Sequence, residues 1–172
     1  MSVDSFAQAK LKSMLKETRK RYAGEGFDPA DINAYLHISR LASQASLLGT
    51  EATETLAADW EQLDDAQRLL TVMLARLAPS SVIRPQLESC TGPENSYQLR
   101  AVATEALGVV GGDGVAALLK TLLDDDNDLV RKYAFSALGE SDSDIELIEQ
   151  QFQDLNPCIP DSEWVSRLPG SP

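Results

Sequence analysis

Apolar positions recur at intervals of three and four residues through most of this chain, the spacing of amphipathic helices. Phe6, Ala9 or Lys10, Leu11, Met14, Leu15 and Thr18 or Tyr22 form one stripe between residues 3 and 22, with lysines on the other face. Gly24-Glu25-Gly26 interrupts that pattern. Asp28-Pro29-Ala30-Asp31 then restarts it, with Asp28 read as the N-cap and Pro29 in the first turn of a helix over about 29–48. Ile32, Tyr35, Leu36, Ile38 or Ser39, Ala42, Ala45 and Leu48 mark its apolar face. Leu48-Gly49-Thr50 predicts a stop and a new start for a helix through Trp60. Asp64, with Gln67 three residues on, forms a capping box before Leu69, Leu70, Met73, Leu74 and Leu77. Pro79-Ser80-Ser81, Pro85 and Thr91-Gly92-Pro93-Glu94-Asn95 then enclose a loop or short helix around Val82 to Leu87, the expected joint of the molecule.

Beyond that joint the pattern repeats itself. Leu99 to Gly108 aligns with Val130 to Gly139 at a shift of 31 residues, keeping Arg100/Arg131, Ala103/Ala134, Ala106/Ala137, Leu107/Leu138 and Gly108/Gly139 in register. With one residue dropped, Val115, Ala117, Leu118 and Leu122 also fall on Ile145, Leu147, Ile148 and Phe152, so each unit reads as a pair of helices. The alanines let neighbouring helices approach closely, and the paired leucines fill the space between layers. Gly108 and Gly139 are expected to end their helices in the left-handed conformation. Asp113 and Ser143 are expected to cap the partner helices, Ser143 in a capping box with Glu146. After Phe152 the periodicity stops, and Pro157, Pro160, Pro169 and Pro172 rule out a long helix.

An acidic turn, then hydrophobic-Arg-x-x-Ala-x-x-Ala-Leu-Gly, then a capped helix resembles the short HEAT-like repeat of the phycobilin lyase class, over about residues 97–153. That resemblance implies an all-α fold, an α-solenoid of stacked helical hairpins. It also implies a family made mostly of scaffolds, chaperones and binding subunits, with a minority of enzymes that attach or remove linear tetrapyrroles. No catalytic motif of that minority is matched here. The chain divides into a helical N-terminal region (1–92), the HEAT-like repeats (93–154) and a proline-containing tail (155–172), within one folded unit. Residues 1–92 are either diverged repeats or a distinct helical cap sealing the end of the array, and the cap is the preferred reading.

With 172 residues and 43% hydrophobic content, the chain suits one domain with its own core. No apolar run approaches the roughly 18 residues of a membrane span, and the N-terminus lacks the order of a secretory signal, so a cytoplasmic location is expected. Cys90 and Cys158 read as free, buried or inert thiols. The net charge of −12 is unevenly spread. Lys10, Lys12, Lys16, Arg19, Lys20 and Arg21 face one acid, Glu17, whereas residues 124–163 hold twelve acids against Arg131 and Lys132. Such a balance repels phosphate backbones and argues against nucleic acid. It favours a protein partner with a basic docking surface, or self-association of the basic first helix with the acidic C-terminal region.

Catalysis is not expected. His37 is the only imidazole, with no matched nucleophile, and reads as a partly buried helix residue. Gly112, Gly114 and Ala117 fit G-x-G-x-x-A, but no strand precedes them and no βαβ unit surrounds them. The Asp124-to-Asp128 run lacks calcium-loop spacing, because Leu129 and Phe135 stand at its sixth and twelfth positions. Those acids instead suit a helix N-terminus, with Asp128 pairing to Arg100 of the neighbouring repeat. No cofactor or metal is expected. The candidate partner- or ligand-binding residues are Tyr97, Arg100, Arg131, Lys132 and Tyr133, a set able to hold a carboxylate-bearing ligand such as a bilin. Trp164 joins them, either packing back onto the last hairpin or engaging a partner.

Overall fold

The computed structural model describes residues 3–22 and 27–140. Among the described residues the chain is all-helical, with no strand. The α-helices are α1 (Val3–Tyr22), α2 (Ile32–Ser46), α3 (Thr50–Ala58), α4 (Asp65–Leu77), α5 (Arg84–Cys90), α6 (Tyr97–Val110), α7 (Val115–Leu122) and α8 (Asp128–Glu140). Short 3-10 turns at Trp60–Gln62 and Ser81–Ile83 lead out of α3 and into α5. None of the described helices is long and apolar enough to cross a membrane. The expected second helix of the last repeat, with its Ser143–Glu146 cap, Cys158, Trp164 and the proline-rich tail lie outside the described residues.

Helix starts follow side-chain chemistry closely. The Asp64 carboxylate accepts from the Gln67 N–H at 2.9 Å while the Gln67 side chain accepts from the Asp64 N–H at 3.0 Å, completing the expected capping box. Gln67 also donates to the Leu15 carbonyl at 2.9 Å, so the start of α4 is fastened to α1. Helix α2 begins later than its pattern indicated. The Asp28 carboxylate accepts from the Ala30 N–H at 2.8 Å in a tight turn, which leaves Asp31 to cap α2 through the Asn33 N–H at 2.9 Å. The helix expected to reach Trp60 ends at Ala58.

The glycine assignments in the repeat need correction. Gly108 lies inside α6, which runs on to Val110 and ends at Gly111, where φ is 64°. Gly139 lies inside α8. Asp113 caps nothing: Gly114, with φ of 84°, stands before α7 and no side chain caps that helix. Gly111, Gly112 and Gly114 place three glycines within four positions, so the sequence alone does not separate the true stop from the repeat-matched Gly108. On α7 the core-facing residues are Val115, Leu119 and Leu122, whereas Ala117 is exposed and Leu118 only half-buried.

Helices α2, α4, α6 and α8 pack side by side in that order; α3, α5 and α7 each lie against the member of the row that follows them, whereas α1 lies chiefly on α4 and touches α2 and α3. Ile38, Leu70, Leu74, Leu107 and Leu138 are fully buried along the row, and Leu56, Leu87 and Leu119 face them from the other helices. Each such side chain contributes about 1.5–3 kcal/mol on burial. The stretch expected to be a joint is part of this packing, since Ile83, Leu87 and Cys90 belong to the same hydrophobic cluster as Leu74 and Ala101. Ala103, Ala106, Ala134 and Ala137 are buried where α6 meets α8, as their small size requires.

Candidate functional site

The residues singled out in the repeat separate into two groups. Arg100 and Arg131 both grip the acidic turn before α8. The Arg100 guanidinium donates to Asp125 at 2.7 Å, to Asp126 at 2.5 Å and to the Asn95 carbonyl at 3.2 Å, with its side chain only 8% exposed. Arg131 donates to the Asp125 carbonyl at 2.6 Å and pairs with Asp128 on its own helix. The expected Asp128–Arg100 pair is therefore replaced by Asp125–Arg100, because Asp128 is already the first residue of α8 and points along it to Arg131. Burial alone would raise the Asp125 carboxyl, but the Arg100 guanidinium and the Asn127 N–H hold it below its ordinary value. Arg100, expected to meet a ligand, is thus spent on holding the chain's own turn. Tyr97, at the start of α6, and Lys132 are exposed.

Tyr133 belongs to the second group, on the face of the helix row. There Arg76 of α4 and Glu105 of α6 form an ion pair at 2.8 Å, both about one-third exposed. Half-buried Tyr35 comes from α2 and half-buried Tyr133 from α8, the two ends of the row. Burial chiefly raises the Tyr35 phenol; nearby Tyr133 and Glu105 add to the rise and Arg76 opposes it. The Tyr35 phenol therefore lies within electrostatic reach of Tyr133 and of the Arg76–Glu105 pair. The repeat carried a sign of this site that the register hid: Glu105 and Ser136 are the matched positions, and only Glu105 meets an arginine. In the sequence pattern Tyr35 belongs only to the apolar stripe of α2, and nothing there singles out Arg76.

The remaining chemistry is occupied or enclosed. His37 accepts or donates through Nδ1 to the Tyr22 hydroxyl at 3.0 Å, and its Nε2 stands 3.5 Å from Glu17. No group of three or more His, Cys, Asp or Glu side chains among the described residues is arranged to hold a metal ion. A cavity of about 280 Å³ between Phe27, Leu69 and Leu99 is rimmed by Asp65 and Glu94, with no basic side chain in its lining. Cys90 is buried, and desolvation pushes its thiol up to about 12. A thiol held near 12 rather than at its ordinary 9.0 carries about a thousandfold less thiolate at pH 8. In a Cys158→Ser background, Ellman's reagent should therefore label native Cys90 at least about a hundredfold more slowly than the guanidinium-unfolded chain. Comparable rates would place the thiol in solvent. Because the raised group binds its proton more tightly when folded, the stability it contributes is complete below pH 9 and is lost as the pH climbs towards 12.

Searches of protein-family models, curated proteins and solved structures find no match to this chain.

Proposed function

We propose that this protein is a non-catalytic interaction module, an adaptor or assembly chaperone of the cytoplasm that presents a stack of helical hairpins to a partner protein. The α2–α4–α6–α8 row, with α3, α5 and α7 laid against its later members, supports the α-solenoid reading. Its extension through α2 and α4 favours diverged hairpins over a separate N-terminal cap. The observation that carries the functional reading is the Tyr35–Arg76–Glu105–Tyr133 face. Tyrosine and arginine are the residues through which protein interfaces concentrate their affinity, and here they sit half-buried and prepositioned on rigid helices. The net charge of −12 adds steering towards a partner with a basic docking surface.

The test is affinity capture from the native cell with wild-type bait and with a Tyr35→Ala/Tyr133→Ala bait, followed by mass spectrometry. The partner should be recovered by the first and lost from the second by more than about tenfold, the loss expected when two aromatic anchors are removed. Equal recovery would remove this face from the mechanism. A phycobilin lyase-like subunit is the competing reading. Burial of Arg100 against Asp125 weighs against it, since that guanidinium is not available to a bilin carboxylate. Mixing with a bilin should leave the pigment's absorbance unchanged, and a shifted band would overturn the adaptor reading in favour of chromophore handling.

A further inference from the structure

Helix α1 carries a cationic edge that the protein leaves largely unneutralised. Lys12, Lys16 and Lys20 follow one another at four-residue intervals, with Arg19 beside them, all exposed. Arg19 is engaged with Asp64 at 3.5 Å, the Gln62 carbonyl at 3.1 Å and the Gln67 side chain at 3.3 Å. The three lysines make no ion pair among the described residues. Beside them runs a groove of about 240 Å³, lined by Lys12, Lys16, Arg19, Leu15 and Leu63, with Asp59 and Gln62 on the far side. It is a basic wall over an apolar floor, and Asp59 confines an acidic occupant to the lysine side.

The same chain holds a segment of opposite character. Residues 141–164 contain seven acids and no basic residue. Asp142, Asp144, Glu146 and Glu149 alternate there with Ile145, Ile148 and Phe152, apolar side chains suited to the Leu15–Leu63 floor. We propose that the α1 groove receives the 141–164 segment of a second copy, joining molecules head to tail. A second copy is favoured over the chain's own segment because of the order of packing. Helix α1 packs on α2, α3 and α4, whereas α8, which delivers the segment, packs on α6 and α7. The net charge of −12 does not forbid the contact: at physiological ionic strength the screening length is about 8 Å, so the facing surfaces decide. A contact between two different patches does not close on itself, so association continues with concentration.

Sedimentation velocity on the full chain tests this. The weight-average mass should rise from 18.7 kDa to at least double between about 1 and 300 μM, and return to the monomer value in about 0.5 M NaCl. A Lys12→Glu/Lys16→Glu/Lys20→Glu variant should remain monomeric, as should an Asp142→Asn/Asp144→Asn/Glu146→Gln/Glu149→Gln variant. Mixed in equal amounts they should form a complex of twice the monomer mass and no larger, because only one intact groove and one intact segment are left per pair. Circular dichroism melts verify that each variant folds, and Lys→Gln replacements substitute for the charge reversals if they do not. A wild-type mass constant over the whole range, growth that survives either set of substitutions, or a mixture that stays monomeric overturns the proposal. The Tyr35→Ala/Tyr133→Ala variant should associate as the wild type does, which separates this surface from the adaptor face.

Discussion

Gly108→Ala should destabilise the protein by about 2 kcal/mol, although alanine is the better helix former by about 1 kcal/mol. A Cβ at position 108 would stand 2.5 Å from the Ala137 Cβ and 3.0 Å from the Ala137 Cα. The second of those atoms is backbone and cannot swing aside, so α6 and α8 must separate along a seam where Ala103, Ala106, Ala134 and Leu138 are all buried. Overpacking of this kind costs about 3 kcal/mol, which outweighs the propensity gain. Gly139→Ala supplies the control. The repeat places it in register with Gly108, yet a Cβ there meets nothing within 4 Å among the described residues, so that variant should gain about 0.5–1 kcal/mol. Thermal melts of the two variants should therefore move in opposite directions. Adding Ala137→Gly to Gly108→Ala should recover much of the loss, since it deletes the facing methyl. A Gly108→Ala protein that melts at or above the wild type would mean that the α6–α8 seam is looser than its geometry.

Removing the Arg100 guanidinium should have the larger effect. In Arg100→Met, the Asp125 carboxylate, whose side chain is 10% exposed, keeps its burial and loses its counter-charge, a situation that typically costs about 3–5 kcal/mol. The Arg100–Asp126 contact counts for little by comparison, because Asp126 is 88% exposed and solvent screens it; Asp126→Asn should change stability by under about 0.5 kcal/mol. Urea titration of Arg100→Met, Asp125→Asn and the double variant forms a cycle in which the coupling should exceed about 1.5 kcal/mol. The pH dependence has a definite sign. Asp125 titrates below its ordinary 3.8 when folded, so its contribution is complete above that value and disappears as the pH falls through the lower folded one. Asp125→Asn should accordingly flatten the acid limb of the stability curve. Additive single losses, with no coupling, would show that the pair is a neighbourly contact and not a clamp.

Both predictions concern residues that the repeat presents as equivalents of a partner 31 positions away. Arg100 and Arg131 share a register but not a role: one is sealed against Asp125, and the other rests one-third exposed on Asp128 and a turn carbonyl. Gly108 and Gly139 diverge in the same way, because α8 lies on the first and no described helix lies on the second. A repeat records what a position needs in an average layer. Which neighbour it meets depends on where that layer stands in the stack.

The sequence by itself determined the all-helical character of the chain, the Asp64–Gln67 box and the small residues of the seam between α6 and α8. These follow from periodicity, from hydrogen bonds made within four residues, and from side-chain volume, all of which are local properties. Only the tertiary structure decided that Tyr35 lies within electrostatic reach of Tyr133 and of the Arg76–Glu105 pair, and that the Arg100 charge is turned inward. Those four come from four different helices, and their meeting depends on the rotation and spacing of each helix in the row. That arrangement is set by the packing of whole apolar faces, which no short stretch of chain encodes.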